Sequence, residues 1–470
     1  MTPSNLRQIR PPRNPGAAPR TARLACGCAL AVLAALGGPR AGAAETLLTL
    51  PAALRQAGQA SLPADLAVQA RIQAEQGSRA IQATYLPELK LQGGHLSLDQ
   101  DPALVTAPIA LGPFTVPAMA EPFAQKSTWA YQLKADYLVY DFGKRASALA
   151  AAQARAEAVD LGGRDEVRRA QAEAAARYLT VLDLKARRQV VAQRQQALAD
   201  HLKDARSLLA QGLVARNDLL RAEVALRTVR DSATAVDNRL ASAQESLNLA
   251  LGLAPETRQT LPERLGPPPA LPWDDAAIRA RAEAGNDGVK ALQAKVKAAE
   301  DQTAYRRRDF SPNLVASLEH DYVENRYLVH PQQTALFLGV SWKLFDGGVR
   351  SAHLSQARAE GDSARRQLLE AGRQAGNAAA QARRAFQEAL QEMATAQANV
   401  TSAEENLRIV KEQYQQGYAK GSDVLDAETL LAESRFNLAD RHYQAYGQQV
   451  TLLAVLGEDL AAFYAAHLEN

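Results

Sequence analysis

The chain has 470 residues, of which 47% are hydrophobic and only 5% aromatic, and its formal net charge is +3. Few aromatic side chains and long alanine-rich runs favour extended helices that pack through small residues. Residues 1–43 hold six arginines and no acidic side chain, so the rest of the chain has 48 basic and 51 acidic residues and a net charge of −3. The excess of basic over acidic residues is therefore confined to residues 1–43, which argues against a nucleic-acid partner.

Residues 1–43 have the composition of a secretory signal peptide. Arginines precede a short apolar run at residues 25–36, and the small residues Ala-Gly-Ala end at Ala43, which is the order found in cleaved export signals. Both cysteines, Cys26 and Cys28, lie in this segment. We therefore expect an exported mature chain without disulfides, cysteine metal ligands or a lipid anchor, and no later apolar run reaches the length of about 18 residues that suggests a membrane-spanning helix.

Most of the remaining sequence occurs twice, and corresponding residues are 205 positions apart. The segment AQGLVARNDLLRAE at residues 210–223 has its counterpart in QQGYAKGSDVLDAE at residues 415–428. The shorter segment YDFGKR at residues 140–145 corresponds to FDGGVR at residues 345–350 at the same spacing. A fixed internal period of this kind indicates a structural repeat.

The upstream part of the repeat is displaced by an insertion. Pro87 in YLPEL corresponds to Pro312 in FSPNL at a spacing of 225, so the first copy holds 20 additional residues, which we place in the proline-rich segment 99–123. A second proline-rich stretch separates the two copies and is typical of a linker. The predicted organisation is a signal peptide at 1–43, a first repeat at 44–254, a linker at 255–273, a second repeat at 274–459 and a C-terminal tail at 460–470.

Each repeat is predicted to contain three helical segments. An opening helix of about 30 residues is followed, after the strands, by a long helix with sevenfold apolar spacing, which indicates coiled-coil packing. At about 1.5 Å per residue the long helix extends about 95 Å. A turn then leads into a shorter returning helix, which together with the opening helix nearly equals the long one, so the two short helices are expected to stack end to end beside it. The predicted ranges are 62–84, 147–210 and 218–251 in the first repeat and 274–307, 352–415 and 423–456 in the second.

Each repeat also contains two strand-like segments between its opening helix and its long helix. Apolar and polar residues alternate over residues 129–139 and 336–344, which predicts strands with one apolar and one polar face. In the preceding strand the apolar parity changes at Gly93 and Gly94, which predicts a β-bulge. Four strands are too few to close a barrel, since small barrels need about eight. The chain is therefore expected to need oligomerisation to form a membrane barrel, because unpaired backbone groups are costly in lipid.

The doubled order of helix, two strands, long helix and returning helix, together with the quoted segments, resembles the TolC-type outer-membrane efflux proteins. The resemblance implies a mainly helical fold with a membrane β-barrel contribution, in which a homotrimer forms a twelve-stranded barrel on a twelve-helix periplasmic tunnel. It also implies a passive exit duct without a cofactor, located in the outer membrane and extending into the periplasm. The implied partners are outer-membrane lipid, a periplasmic adaptor and an inner-membrane transporter of RND, ABC or MFS type, and both drug efflux and polypeptide secretion fit.

The resemblance also assigns roles to the turns between the long and returning helices. In relatives the second turn has the pattern Tyr-x-x-Gly followed by Asp-x-x-Asp, and the carboxylates surround a periplasmic gate. Two departures are Gln416 before the glycine and Ala419 where relatives have a basic residue. The residues that match the gate here are Tyr414, Asp423 and Asp426, with Asp218 from the first turn. The residues assigned to adaptor docking are Gly212, Leu213, Gly417 and Tyr418.

Structural interpretations of the same residues remain open. Asp423 and Asp426 also fit a helix N-cap followed by an acid three residues later, and the turn glycines fit helix C-caps that need φ > 0. Trp129 and Trp342 are interpreted as anchors at the membrane–water interface, with packing against lipid as the alternative.

The sequence contains no pattern that predicts an enzyme. It lacks a G-x-S-x-G elbow, a phosphate-binding loop and an H-E-x-x-H helix, and a metal site would require His95, His320 and His330 to meet. We therefore predict neither a catalytic nor a metal site. The alternative functions are a coiled-coil periplasmic adaptor and an envelope spacer protein without a pore. A spacer predicts no lipid-facing strands, and an adaptor would pair one helical hairpin with small soluble β domains and would lack the doubled pattern.

Overall fold

The computed structural model describes residues 47–212 and 214–468, so the predicted signal peptide and Leu213 lie outside the described residues. The described chain is mainly helical with a smaller set of strands, in agreement with the predicted class. The helices are α1 Leu50–Ala60, α2 Leu62–Ala83, α3 Lys144–Ala210, α4 Arg216–Ala250, α5 Asp275–Gly285, α6 Asp287–Arg308, α7 Val349–Gln415, α8 Gly421–Leu456 and α9 Leu460–Leu468. The strands are β1 Glu88–Ser97, β2 Ala103–Val105, β3 Ile109–Leu111, β4 Phe114–Val116, β5 Ala120–Pro122, β6 Ser127–Tyr140, β7 Asn313–Val323 and β8 Gln332–Ser341.

Within the described ranges, none of the helices combines the length and the apolar character needed to cross a membrane.

The opening segment of each half is two helices, so the prediction of one continuous helix of about 30 residues was wrong. The chain becomes extended at Ser61, between α1 and α2, and at Asn286, between α5 and α6. Pro63 occupies the first turn of α2, where its missing N–H costs no helical hydrogen bond. The Asn286 side chain accepts hydrogen bonds from the amides of Gly288 at 2.8 Å and Val289 at 3.3 Å, which satisfies the free N–H groups at the start of α6.

The returning helices α4 and α8 end against these two breaks. Gly252 follows α4 with φ +71, and a Cβ atom added there would lie 2.1 Å from the carbonyl oxygen of Ala60. Gly457 follows α8 with φ +80, and its added Cβ would lie 2.8 Å from the carbonyl oxygen of Gly285. Both positions therefore need glycine for conformation and for space. The Asn286 amide donates to Val455 O at 3.0 Å, which joins the end of α8 to the start of α6.

The long helices α3 and α7 each have 67 residues, and most of the apolar side chains at their sevenfold spacing are buried. Val191 and Leu198 of α3 pack with Leu226 of α4, while Val400 and Leu407 of α7 pack with α8 residues. The predicted tail contains α9, whose Tyr464 is fully buried in the largest core cluster and donates its hydroxyl hydrogen to Gln449 at 3.1 Å.

The four long strands form one antiparallel sheet in the order β1-β6-β7-β8. The β1–β6 register runs without interruption through Gly93 and Gly94, so the predicted bulge there was wrong. The His95 ring lies on the same face as Leu89 and Leu91 and packs on Trp129, with the ring centroids 4.9 Å apart. The change in apolar parity along β1 therefore occurs without an inserted residue. The register instead shifts on β6 between Leu138 and Tyr140, where β6 pairs with β7. The proline-rich insertion forms two further antiparallel pairs, β2 with β5 and β3 with β4.

A buried ionic cluster joins α3, the start of α6 and the segment that follows α8, beside the second break. Arg168 of α3 pairs with Asp287 at the start of α6, lies 3.6 Å from Asp165, and donates to the carbonyl oxygen of Glu458 at 3.3 Å. The side chains of Arg168 and Asp287 are only 11% and 12% exposed. Removing the arginine would leave two largely buried carboxylates, of which Asp165 keeps Arg169 at 2.7 Å and Asp287 keeps only the more distant Lys290 at 3.7 Å.

We expect Arg168→Met to lower the free energy of unfolding by about 2 kcal/mol, because Asp287 loses its buried hydrogen-bonded partner while Lys290 and Arg169 still offset part of the remaining negative charge. Urea denaturation followed by helical circular dichroism checks this. Arg164→Met is the matched control, since Arg164 is 64% exposed and pairs with Asp160 at 2.7 Å, and surface pairs contribute little. Equal midpoints for the two variants would contradict the expectation.

Candidate functional site at the helical turns

Two helical turns, one from each half, carry the residues that the sequence assigns to function. Gly212 follows α3 with φ +74, and Gly417 follows α7 with φ +80, so both occupy the left-handed conformation that ends many helices. The amide of Gly417 donates to Tyr414 O at 3.0 Å and that of Tyr418 to Gln413 O at 2.8 Å. These bonds satisfy the last carbonyl groups of α7. The Tyr418 side chain is 82% exposed beyond them.

The second turn leads into α8 through a capped start. Lys420, not an aspartate, is the N-cap residue, so the expected N-cap role of Asp423 was wrong. Asp423 is the third residue of α8, and its carboxylate accepts hydrogen bonds from Lys420 N at 3.0 Å and Ser422 Oγ at 3.2 Å. An acid at this position supplies the returning half of a capping box and interacts favourably with the helix dipole. Asp426 lies one turn later, and both carboxylates are exposed.

The two turns touch each other at Asp218. This residue is third in α4, the same position that Asp423 holds in α8. A Cβ atom added at Gly421 would lie 3.4 Å from the Cβ atom of Asp218, so the starts of the two returning helices are in van der Waals contact. The structure thus brings Asp218 beside the start of α8.

Tyr414 is buried beneath this contact. It is 8% exposed, and in the described part of the chain its hydroxyl group has no hydrogen-bond partner. Burial raises the pKa of Tyr414, and the negative charges of Asp218 and Asp204 raise it further. The phenol is therefore neutral at physiological pH and lies near Asp218 without a hydrogen bond to it.

His201, which the sequence patterns did not single out, lies against Tyr414. Their ring centroids are 5.3 Å apart, and His201 is 6% exposed. Burial lowers the pKa of His201. A signal was present, because His201 lies three residues after the buried heptad residue Leu198, where a coiled coil places an apolar side chain.

Polar contacts continue from this point along the boundary between the hairpins α3–α4 and α7–α8. On the side of the first hairpin this boundary is formed by α3, and on the side of the second by α7 and α8. We call it the inter-hairpin seam. Close to the turns it contains a groove of about 670 Å³ lined in part by His201, Asp204, Lys411 and Tyr414. The polar contacts farther along are Arg194 Nη2 to Thr429 Oγ1 at 2.8 Å, Arg435 Nη1 to Gln193 Oε1 at 2.8 Å, and Arg187 Nη2 to Asp440 Oδ1 at 3.3 Å.

The sheet carries the other predicted residues. Trp129 lies near the loop end of β6 and is 60% exposed, whereas Trp342 follows β8 at the helical end and is 57% exposed. The Trp342 indole donates to Phe310 O at 3.1 Å. The strand register places a set of exposed apolar residues on the same face as Trp129, namely Leu89, Leu91, Leu133, Leu318, Leu336 and Leu338.

The fold is that of solved outer-membrane proteins. The outer membrane protein VceC from Vibrio cholerae is 19% identical, and the match covers 87% of this chain and 96% of that chain with a TM-score of 0.69. The outer membrane channel MtrE of Neisseria gonorrhoeae, solved in its open state, is 15% identical over 87% of this chain and 89% of its own, with a TM-score of 0.70. The Campylobacter jejuni outer membrane channel CmeC is 13% identical over 87% and 85%, with a TM-score of 0.71.

Comparison with curated proteins gave no match. The sequence profile described as outer membrane efflux protein, by contrast, matches residues 58–253 and 279–458, which are most of the chain. The profile and the structures confirm the resemblance found in the sequence, and these relatives are channel proteins rather than enzymes. The chain belongs to the outer membrane efflux protein family.

Proposed function

We propose that three copies of this chain form an outer-membrane channel that serves as the passive exit duct of an efflux or secretion system. The observation that carries the proposal is the four-stranded sheet with an exposed apolar face, attached to helices of 67 residues. A soluble protein rarely exposes such a face. A periplasmic adaptor or a spacer without a pore, the alternative functions, would have no use for it.

The sheet edges support assembly from several copies. Strands β1 and β8 lie at the two edges of the four-stranded sheet, and each presents backbone groups that need partners in lipid. Pairing β8 of one copy with β1 of the next would satisfy these groups, and three copies would supply twelve strands. An even-numbered barrel of this size is within the range of outer-membrane proteins.

The helical turns support a gate at the periplasmic end. Asp423 and Asp426 are exposed at the start of α8, and Asp218 lies against Gly421. Three copies around one axis would gather these like charges at a constriction, and rings of carboxylates favour cation passage. Tyr414 would support the gate from below by packing in the inter-hairpin seam.

The partners follow from the absence of an energy source in the proposed duct. Transport would be powered by an inner-membrane transporter of RND, ABC or MFS type, to which a periplasmic adaptor connects the channel. We assign adaptor docking to the exposed turns, with Tyr418 as the most exposed aromatic side chain there. The other assigned residues are Gly212, Leu213 and Gly417.

The channel is tested by reconstituting the full exported chain in planar lipid bilayers. We expect a detergent-extracted trimer that conducts ions. A chain that is released from membranes by salt and stays monomeric in detergent, without conductance, would refute the proposal and favour the adaptor alternative.

The gate is tested separately with Asp423→Ala/Asp426→Ala. We expect weaker cation selectivity and a changed conductance, because each copy loses two negative charges at the constriction. Selectivity is measured from the reversal potential in a salt gradient. Asp231→Ala, an exposed acid in the middle of α4, is the control for a general change in surface charge. Unaltered selectivity and conductance in the double variant would exclude these aspartates from the gate.

A further inference from the structure

The buried imidazole of His201 lies at the point where the two hairpins meet. His201 belongs to α3, is 6% exposed, and its ring packs on Tyr414 of α7 at 5.3 Å. The Tyr414 hydroxyl is buried beside it without a hydrogen-bond partner in the described residues. Any relative movement of the hairpins at this level would separate these two rings and expose both to water.

Charged groups face His201 from every helix of the two hairpins. Lys411 and Glu428 form an ion pair with a separation of 2.6 Å across α7 and α8. Glu428 is 4% exposed, whereas the Lys411 side chain is 42% exposed, so the pair reaches from the seam to its solvent-facing side. The groups that act on the imidazole are Asp204 from α3, Asp218 from α4, Lys411 from α7 and Glu428 from α8, and Asp200 of α3 lines the same groove.

We propose that His201 makes the packing of the inter-hairpin seam sensitive to pH, so that protonation of its imidazole favours separation of the hairpins and opening of the channel. The inference rests on the proposed channel function and adds a regulatory device to the same gate. A buried, neutral ring suits the packed seam. A charged imidazolium is better accommodated where the hairpins have parted and water reaches it.

The direction of the effect follows from competing contributions to one pKa. Burial lowers the pKa of His201, while Asp204, Glu428 and Asp218 oppose this change and Lys411 adds to it. Burial is the largest contribution, so the packed seam holds the imidazole neutral. In separated hairpins the solvated imidazole would return to an ordinary pKa of about 6.5. The separated state then binds more protons, and the packed state loses stability as the pH falls below about 6.5.

The test compares channel opening in planar bilayers at pH 7.5, 6.5 and 5.5. The trimer of the unaltered chain should open more often as the pH falls, by at most about tenfold per pH unit for each copy. His201→Gln, which keeps a polar side chain without a titrating group, should lose this increase. Aspartate and glutamate have ordinary pKa values near 4, so most carboxylates stay ionised over this range.

The control is His442→Gln. His442 of α8 is also a buried histidine, 8% exposed, and burial together with Arg264 lowers its pKa. It packs on Tyr443 and Tyr446, away from the helical turns. This variant should keep the pH response of the unaltered chain. A response that disappears equally in both variants would refute a specific role for His201.

A second variant, His201→Phe, guards against a folding defect, since it keeps an aromatic ring against Tyr414. It should form trimers that conduct ions at pH 7.5 and should lack the increase at pH 5.5. The same pH response in the unaltered chain and in both His201 variants would overturn the inference and leave the channel function intact, as would closure instead of opening at acidic pH. A folded trimer without conductance at any pH would instead refute the proposed function.

Discussion

A disulfide between Asp218→Cys and Gly421→Cys is expected to abolish conduction until it is reduced. A Cβ atom at Gly421 would lie 3.4 Å from the Cβ atom of Asp218, close to the lower end of the disulfide range, which is about 3.5 Å. The bond would join the starts of α4 and α8 covalently. If the hairpins must separate for the channel to open, the oxidised double variant stays closed in all three copies.

The chain suits this experiment because its only cysteines, Cys26 and Cys28, lie in the predicted signal peptide. Conductance is measured in planar bilayers before and after addition of a reductant, and near-complete loss followed by recovery is the expected result. Each single cysteine variant controls for the loss of Asp218 or Gly421 alone. A second disulfide, between Ala67→Cys and Gly163→Cys, joins α2 to α3 away from the seam and serves as the control for cross-linking itself. The Cβ atoms of this pair would be 3.0 Å apart and would need a small shift. Conduction by an oxidised Asp218–Gly421 pair would show that opening does not require this contact to break.

The helices could be predicted closely because the 205-residue period showed every long element twice. The predicted long helices began at residues 147 and 352, within three residues of the observed starts, Lys144 and Val349. The breaks at Ser61 and Asn286 were missed because their cause is tertiary. Each break is where a returning helix ends and packs, and local periodicity contains no information about a neighbour 172 or 192 residues away.

The sheet was predictable in its faces but not in its pairing. Alternation identified the apolar side of β6 and β8 correctly, whereas the adjacency of β6 and β7 joins segments from different halves of the chain. The bulge was misplaced for a related reason. Glycine has no side chain that would show which face of the strand continues the apolar pattern. The His95–Trp129 contact on the face of Leu89 and Leu91 is visible only once β1 and β6 are paired.

The candidate site shows the same division between local and distant information. Gly212 and Gly417 lie at helix ends because φ > 0 is a local requirement. The capping role of Asp423 is also local, although the N-cap residue itself, Lys420, was not anticipated. By contrast, the contact between Asp218 and Gly421 and the packing of His201 on Tyr414 join residues about 200 positions apart, and no sequence spacing predicts them.

The second large effect is expected from a charge on the apolar face of the sheet. Leu336 of β8 is 77% exposed, and its row in the sheet continues through Leu318 of β7 to Ala135 and Leu89. If this face contacts lipid, Leu336→Arg places a guanidinium in hydrocarbon at a cost of about 2–4 kcal/mol near the bilayer centre. Each of three copies would bear this cost. We therefore expect a large decrease in the amount of folded trimer recovered from outer membranes.

The neighbouring residue offers a control that differs only in the direction of its side chain. Ala335 points to the opposite, polar face, where its partner across the sheet is Glu319, so Ala335→Arg would add a charge where water is expected and an acid is near. Successive residues of a strand face opposite sides, and the two variants share strand, depth and added side chain. Membrane fractionation and the trimer band in mild detergent measure the outcome. Equal losses would show that the two faces see the same surroundings and would exclude a lipid-facing sheet, whereas loss confined to Leu336→Arg ties membrane insertion to the apolar face.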